Sequence, residues 1–400
     1  MKRKRVIRKK NRKGIKINLK AVILPLLMVA MLLYIIYFTI EFLSVETANP
    51  VAEHVASHTI LSQEKSDMEK TLFIFERETG EARKIVDVFV FLQNKNKGIS
   101  LLVYIPGSIY FEGLEEEFGS PISVSSLRYA GDFLQEGRGV EYALWQLSEI
   151  LGFRVQNYIW ITTEAYESMV EIYGEPKTFK DRDRLSYHSL IGGDPADSFY
   201  GLSTFSSLIS VRETFFKIGK VKELNQQIFS NLSFPTIMRK VSSFKKEIDS
   251  GETTYALDVS RPSFSVEKFS ESGGIVGSIN VKEYDKALRS YISKMADKGL
   301  EQERVRVEVY NGTDILGRAV IYSRKIQNSG CDVVRFGNAP KRYEKTYVYI
   351  SDETQFKNSL KVVSDVLLER FELLEERPSF MTTGDIVVIL GDDIAHTEIF

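Results

Sequence analysis

The sequence predicts an α/β protein built in layers and carried on a single N-terminal transmembrane helix. Three observations lead there. Residues 21–40, AVILPLLMVAMLLYIIYFTI, contain no charged side chain over a length that crosses a bilayer. Between about 67 and 175, almost continuously apolar runs of strand length alternate with stretches whose apolar residues recur every three or four positions. The same alternation returns from 303 onward, in a smaller C-terminal α/β unit.

The first element is electrostatic. Residues 1–20 hold eleven Lys or Arg and no acid. The chain has 53 basic and 54 acidic residues, so everything downstream carries 42 against 54, a formal charge of −12. Basic segments resist translocation, which places residues 1–20 in the cytoplasm and the bulk of the chain outside the cell (inner) membrane. The acidic remainder argues against a nucleic-acid partner. The apolar run exceeds the core of a cleaved signal peptide, and Glu46 spoils the small-x-small site ending at Ala48, so an uncleaved anchor is expected. Cys331 is the single cysteine. No internal disulfide can form, and an exported body must be held by its core, as suits a bacterial envelope.

Residues 41–66 read as a stalk. His54 and His58 stand four apart, but Val55 fills the place of the zinc-protease glutamate, and the pair reads as coincidental. From 67 to 265 a layered domain is expected. Strands fall at 71–76, 86–92 and 99–105, the last two joined by a turn at 94–98. Val140, Ala143, Leu144, Leu147, Ile150 and Leu151 define a helix that stops at Gly152. YIWIT (158–162) is a buried strand, and EAYESMVEIYGE (164–175) a short helix ended by glycine. Residues 176–220 are irregular, and helical spacing resumes in VKELNQQIFSNL (221–232) and TIMRKVSSFKKEI (236–248). A linker at 266–302 includes a helix over 282–299, and a second domain spans 303–396. Its order is β-α-β-β-α-β: a strand through Val305, Val307 and Val309, a helix to Ser329, CDVVRFGNA, KTYVYI, a helix from Phe356 to about Leu374, and DIVVILG.

Within that domain, VEVYNGTDILGRA (307–319) has glycines five apart, the spacing of a phosphate-cradling Walker loop. Arg318 and Ala319 replace the lysine and hydroxyl that such a loop requires. The stretch reads as a strand-turn-helix corner, with Asn311-Gly312 supplying positive φ.

VRVEVYNGTDILGRA, SGCDVVRFGNA, YEKTYVYI and GDIVVILGDD resemble, in order and spacing, the C-terminal domain of LytR-type envelope proteins. Upstream, residues 67 to about 265 resemble a diverged LytR-CpsA-Psr (LCP) domain. The resemblance implies a protein anchored by one helix and working outside the membrane, where the family moves glycopolymers from polyprenyl-pyrophosphate lipids to peptidoglycan. It implies Mg²⁺ held by aspartates and arginines that grip the pyrophosphate. Asp87 fits the aspartate of the family's Arg-x-Asp strand and is the metal candidate, but Ile85 fills the arginine position. The family's Ile-Pro-Arg-Asp reads Ile105-Pro106-Gly107-Ser108 here. Ser125 or Ser126 stands where an asparagine is expected, and Asn225 precedes Gln226-Gln227 where the family has Arg-Gln-Gln. Arg128, Arg138 and Arg212 are the arginines available to bind the ligand instead.

Losing one preorganised donor to a developing charge commonly costs about 3 kcal/mol, so two or three absences nearly silence such a site. The expected function is therefore a binding or scaffolding module for lipid-linked polymer or cell wall, with degenerate catalytic residues. The alternatives are an active phosphotransferase with relocated arginines, needing Mg²⁺, and a regulatory membrane protein that docks protein partners. The first two predict an apolar groove beside the 86–105 strands.

Overall fold

The computed structural model describes residues 19–51, 58–63, 67–79, 82–110, 122–174, 210–250, 254–269, 275–296, 298–380 and 382–395. The chain divides into two compact units, Met1–Ser44 and Val45–Phe400. The described part of the first is helix α1 (Leu19–Ser44), long and apolar enough to cross a membrane, with none of its apolar window buried in protein. Pro25 is its seventh residue, inside the helix rather than in its first turn, so its missing N–H removes one intrahelical hydrogen bond.

The second unit begins where a stalk is expected, and here the structure differs. Val45, Val51, Ile60 and Leu61 are buried, and the Ser230 amide donates to the Ala48 carbonyl at 2.9 Å. Thr47 Oγ1 donates to the Leu232 carbonyl at 2.6 Å. These residues are sewn into the body because their few apolar side chains find partners only in distant segments.

The three strands read from 71 to 105 are β1 (Met68–Thr79), β2 (Ala82–Asn94) and β3 (Ile99–Pro106), an antiparallel meander. With β4 (Asn157–Ile161), β5 (Ile228–Ser230) and β6 (Thr254–Asp258) they form a six-stranded sheet in the order β5-β4-β1-β2-β3-β6. β4 and β6 run parallel to β1 and β3, and β5 is antiparallel to β4. A bulge interrupts the β1–β2 ladder: Phe75 pairs with Asp87, but Glu76 pairs with Ile85, leaving Val86 as the extra residue.

Alternation along these strands gives the sheet two different faces. Leu72, Ile74, Val88, Val90, Val103, Ile105, Tyr158 and Trp160 share a core with Ala143, Leu147 and Ile150 of α3 (Gly139–Leu151), which follows α2 (Leu127–Leu134). Gly152 ends α3 in the left-handed conformation, φ 73°, as its position predicts. The opposite face carries Phe73, Phe75, Phe89, Phe91 and Tyr104, all buried. Phe89 stacks on Tyr104 with ring centroids 4.9 Å apart.

The helix expected at 164–175 is α4 (Thr163–Tyr173), N-capped by Thr162. Described residues of the stretch read as irregular form α5 (Val211–Phe216) and begin α6 (Ile218–Asn225). VKELNQQIFSNL is not helical throughout: α6 stops at Asn225, and Ile228–Ser230 pairs with Ile159–Ile161 as β5. After α7 (Phe234–Ser250) and β6, an antiparallel ribbon of β7 (Ser265–Phe269) and β8 (Ile275–Ile279) leads into α8 (Val281–Met295), the connecting helix.

α9 (Lys298–Glu303) precedes a five-stranded sheet ordered β10-β9-β13-β11-β12. Its strands are β9 (Arg306–Asn311), β10 (Asp332–Asn338), β11 (Tyr347–Ile350), β12 (Glu372–Leu374) and β13 (Ile386–Leu390). The helix read from Phe356 to Leu374 ends earlier: α11 is Lys357–Val366, and Glu372–Leu374 is an edge strand parallel to β11. α10 (Arg318–Asn328) and α11 cover one face with Tyr322, Ile326, Val362 and Val363; the chain's last described helix is α12 (Asp392–Ala395). At the glycine corner the left-handed residue is Gly317, φ 81°, not Asn311 or Gly312. Gly312 is needed for closeness instead, since a Cβ there would meet the Leu390 carbonyl oxygen at 2.6 Å. The Asn311 side chain accepts from the Thr313 amide and donates to the Ile315 carbonyl, so the loop is folded on itself.

Buried and partly buried ionic contacts link helices and loops that pack around the two sheets. Arg154 Nη2 lies 2.9 Å from Asp365 Oδ1, Arg324 Nε 2.8 Å from Asp285 Oδ2, and Lys325 Nζ 2.6 Å from Glu149 Oε1.

Candidate functional site

Asp87, and Glu76 with its partner Arg128, lie at the end of the six-stranded sheet where β2 is bulged. Asp87 is 2 % exposed on the aromatic face. Its Oδ1 accepts a hydrogen bond from the Tyr104 hydroxyl at 2.8 Å. Across β3, Tyr104 pairs in register with Asp258 of β6, which is also buried. Asp258 Oδ1 accepts from the Ser260 amide at 2.9 Å and the Ser260 hydroxyl at 2.6 Å. Burial pushes the Asp258 carboxyl above its ordinary value, against the opposing pull of Ser260 and Arg261. Two enclosed carboxylates thus flank one tyrosine. Sequence reasoning missed Asp258, because TYALDVS gives no sign that this strand joins β3.

These are the groups available to a divalent cation. No cluster of three or more His, Cys, Asp or Glu converges among the described residues. A hard ion wanting six or more oxygens would draw most of its shell from water or ligand. His54 lies outside the described residues, so its pairing with His58 has no structural counterpart here.

Arg128 lies on the other face, in the first turn of α2. Its Nη1 pairs with Glu76 Oε2, and the two side chains are 12 % and 1 % exposed. The same carboxylate oxygen accepts from Trp160 Nε1 at 2.9 Å. The guanidinium carbon lies 5.9 Å from the Trp160 ring and 5.6 Å from the Phe229 ring. This is an enclosed ion pair roofed by aromatic faces, a setting in which cation–π attraction is strongest. Arg138 is turned to its own helix start, donating to Glu141 at 2.5 Å and Gln135 at 2.9 Å. Arg212 is exposed in the first turn of α5. Arg128 and Arg138 are held by separate partners.

Three of the positions where the sequence departs from the LCP pattern, 85, 107 and 225, are closely packed, while Ser108 is exposed and Ser125 and Ser126 are half-buried. Ile85 is fully buried in the apolar core. Gly107 donates its amide to the Val86 carbonyl at 2.8 Å, and a Cβ at 107 would meet the Ile85 carbonyl oxygen at 2.1 Å. Any side chain at 107 therefore collides with backbone. Asn225 is 0 % exposed, and neither atom of its amide has a hydrogen-bond partner among the described residues. Gln227 is structural, its carbonyl accepting from Thr162 and its side chain from Ser168.

Residues 304–393 match the family model described as LytR cell envelope-related transcriptional attenuator. The chain carries a LytR C-terminal domain, as its sequence led us to expect, behind a layered α/β sheet and an apolar N-terminal helix. No curated protein sequence matches the chain. Among solved structures, B. subtilis TagV is 9% identical with TM-score 0.39, covering 58% of this chain and 98% of its own. A structure of TagT bound to LI-WTA is 12% identical with TM-score 0.37, covering 62% and 99%. Lin1025 from Listeria innocua is 11% identical with TM-score 0.37, covering 58% and 100%.

Proposed function

We propose that this is a membrane-anchored, extracytoplasmic protein of envelope assembly. In this reading residues 67–265 are a diverged LCP module that binds lipid-linked polymer or cell wall without transferring it. The LytR C-terminal domain and the apolar helix behind a basic tail support the envelope setting. The observation that carries the binding reading is the packing at Ile85 and Gly107. One position is sealed in the core and the other has no room for a side chain, so neither can present a guanidinium to a pyrophosphate. Arg128 is already neutralised by Glu76. The aromatic residues beside the 86–105 strands, Phe73, Phe75, Phe89, Phe91 and Tyr104, are buried, so in this reading a polyprenyl chain has to part what covers them.

A second reading, an active phosphotransferase using Mg²⁺, is favoured by one feature, the pair Asp87 and Asp258 beside Tyr104. The two are separated by incubating the purified full-length chain, in detergent with Mg²⁺, with a polyprenyl-pyrophosphate analogue, and measuring binding and turnover independently. Saturable binding without cleavage is expected. Cleavage would overturn the binding reading in favour of the enzyme, and failure to bind would leave a protein-docking role.

A further inference from the structure

At the end of the six-stranded sheet remote from Asp87, α7 encloses a cavity of about 220 Å³ against β1 and β2. Lys95, at its rim, follows Asp87 by eight residues along the β2 hairpin, roughly 25 Å at strand rise. Two periodicities build the cavity. Glu69, Thr71 and Phe73 alternate onto one face of β1, while Thr236, Arg239, Lys240 and Ser243 recur at helical spacing along one stripe of α7.

The charges within it do not balance. Lys240, its side chain 13 % exposed, reaches Glu69 Oε1 at 2.5 Å and Thr71 Oγ1 at 3.1 Å. Lys95 reaches the other oxygen of Glu69 at 3.3 Å. Arg239 makes no ion pair with a described carboxylate, and its Nη2 donates to Thr236 Oγ1 at 3.4 Å. Among the described residues that line the cavity, three cations face one carboxylate, with Lys240 and Lys95 paired to it and Lys95 and Arg239 exposed at the rim. Burial holds the Lys240 ammonium below its ordinary range although Glu69 opposes this, and Lys95 and Arg239 add repulsion. Glu69 is pulled down by Lys240 and Lys95 in spite of its own burial.

The geometry points to a site for a doubly charged phosphate group, held by Lys95, Arg239 and Lys240 with hydroxyl donors from Thr71 and Ser243, and with Glu69 as the internal anion that the ligand displaces. Two excess positive charges fit a phosphate dianion better than a single carboxylate, and one arginine with two lysines combines a planar fork with point charges. The phosphate could belong to a soluble monoester or to a lipid headgroup.

The test is calorimetric titration of the full-length chain in nanodiscs of zwitterionic lipid, using inorganic phosphate, glycerol 3-phosphate and acetate at matched ionic strength. Both phosphates are expected to bind at one site, at least about tenfold tighter than acetate. Arg239→Gln, an exposed substitution that spares the fold, should weaken binding about fivefold or more. Glu69→Gln should tighten it about tenfold by removing the competing carboxylate. Weaker or unchanged binding in Glu69→Gln overturns the site, as does no phosphate binding up to about 10 mM. In nanodiscs doped with phosphatidate, loss of the soluble-phosphate signal in the parent chain but not in Arg239→Gln assigns the headgroup as source. Undiminished soluble binding assigns the free monoester. Equal phosphatidate competition in both proteins overturns the proposal.

Discussion

Replacing Arg128 with methionine separates a structural counter-ion from a ligand-binding arginine. Glu76 is 1 % exposed at its side chain, and its Oε1 has no hydrogen-bond partner among the described residues. With Arg128 gone, one neutral donor, Trp160 Nε1 at 2.9 Å, would remain to a buried carboxylate. Breaking such a pair from one side costs about 3–5 kcal/mol, whereas replacing both partners with apolar or neutral groups is often neutral. Arg128→Met should therefore destabilise by about 3–5 kcal/mol. The double variant Glu76→Gln/Arg128→Met should return to within about 1 kcal/mol of the parent, well short of the sum of the two single losses. Urea unfolding followed by tryptophan fluorescence measures this, since Trp160 reports from within the pair. At an m-value of about 3 kcal/mol/M, the single variant shifts the midpoint by about 1 M or more. A loss below about 1 kcal/mol for Arg128→Met, or additive single effects, would refute the reasoning and return Arg128 to the ligand-binding candidates.

Gly107→Ala should cost about 1–3 kcal/mol, toward the upper end because the obstructing atoms are the carbonyls of residues 85 and 86, which cannot rotate away; thermal unfolding checks it. Arg154→Ala should leave Asp365, among the described residues, with Ser62 and Gln63 at 2.9 and 3.0 Å, and cost about 1–3 kcal/mol, read as faster trypsin cleavage between residues 296 and 304. Asp258 is raised above its ordinary 3.8, so its protonated form is favoured by folding, and stability rises as pH falls through the raised value toward 3.8. Asp258→Asn should remove that rise from a melting-temperature series between about pH 3 and 7. Asp385, depressed chiefly by its hydrogen bond from Arg306, has the opposite sign. Its contribution is present above 3.8 and lost as pH falls through the lower folded value, so Asp385→Asn should flatten the acid limb.

What was legible in the sequence was what local spacing determines. The runs at 71–76, 86–92 and 99–105 are strands, and the helix ending at Gly152 stops there for a conformational reason. Ile228–Ser230 was hidden because Val221, Leu224 and Ile228 keep helical spacing across a break that exists only because Ile159–Ile161 lies alongside. Val45, Val51, Ile60 and Leu61 were too sparse to signal a core position, and their burial depends on segments about a hundred or more residues away, such as Val155 accepting from the Ser62 amide. The site was half legible. Asp87 could be named from its strand, but Glu76 as the partner of Arg128, 52 residues distant, could not. Asp258 and the Glu69–Lys240 pair depend equally on pairing that no local pattern encodes. The absent arginines were visible as substitutions. Only the structure gives the reason that position 107 cannot simply regain one.

Where residues 45–400 lie relative to the bilayer decides the proposal as a whole. The measurement is protease digestion of sealed, right-side-out cell-membrane preparations carrying the full-length chain with a C-terminal epitope. Loss of the epitope from intact vesicles, with residues 1–20 protected, is the predicted result. An epitope that resists protease until the vesicles are opened would put the LytR C-terminal domain in the cytoplasm and contradict an envelope-facing role.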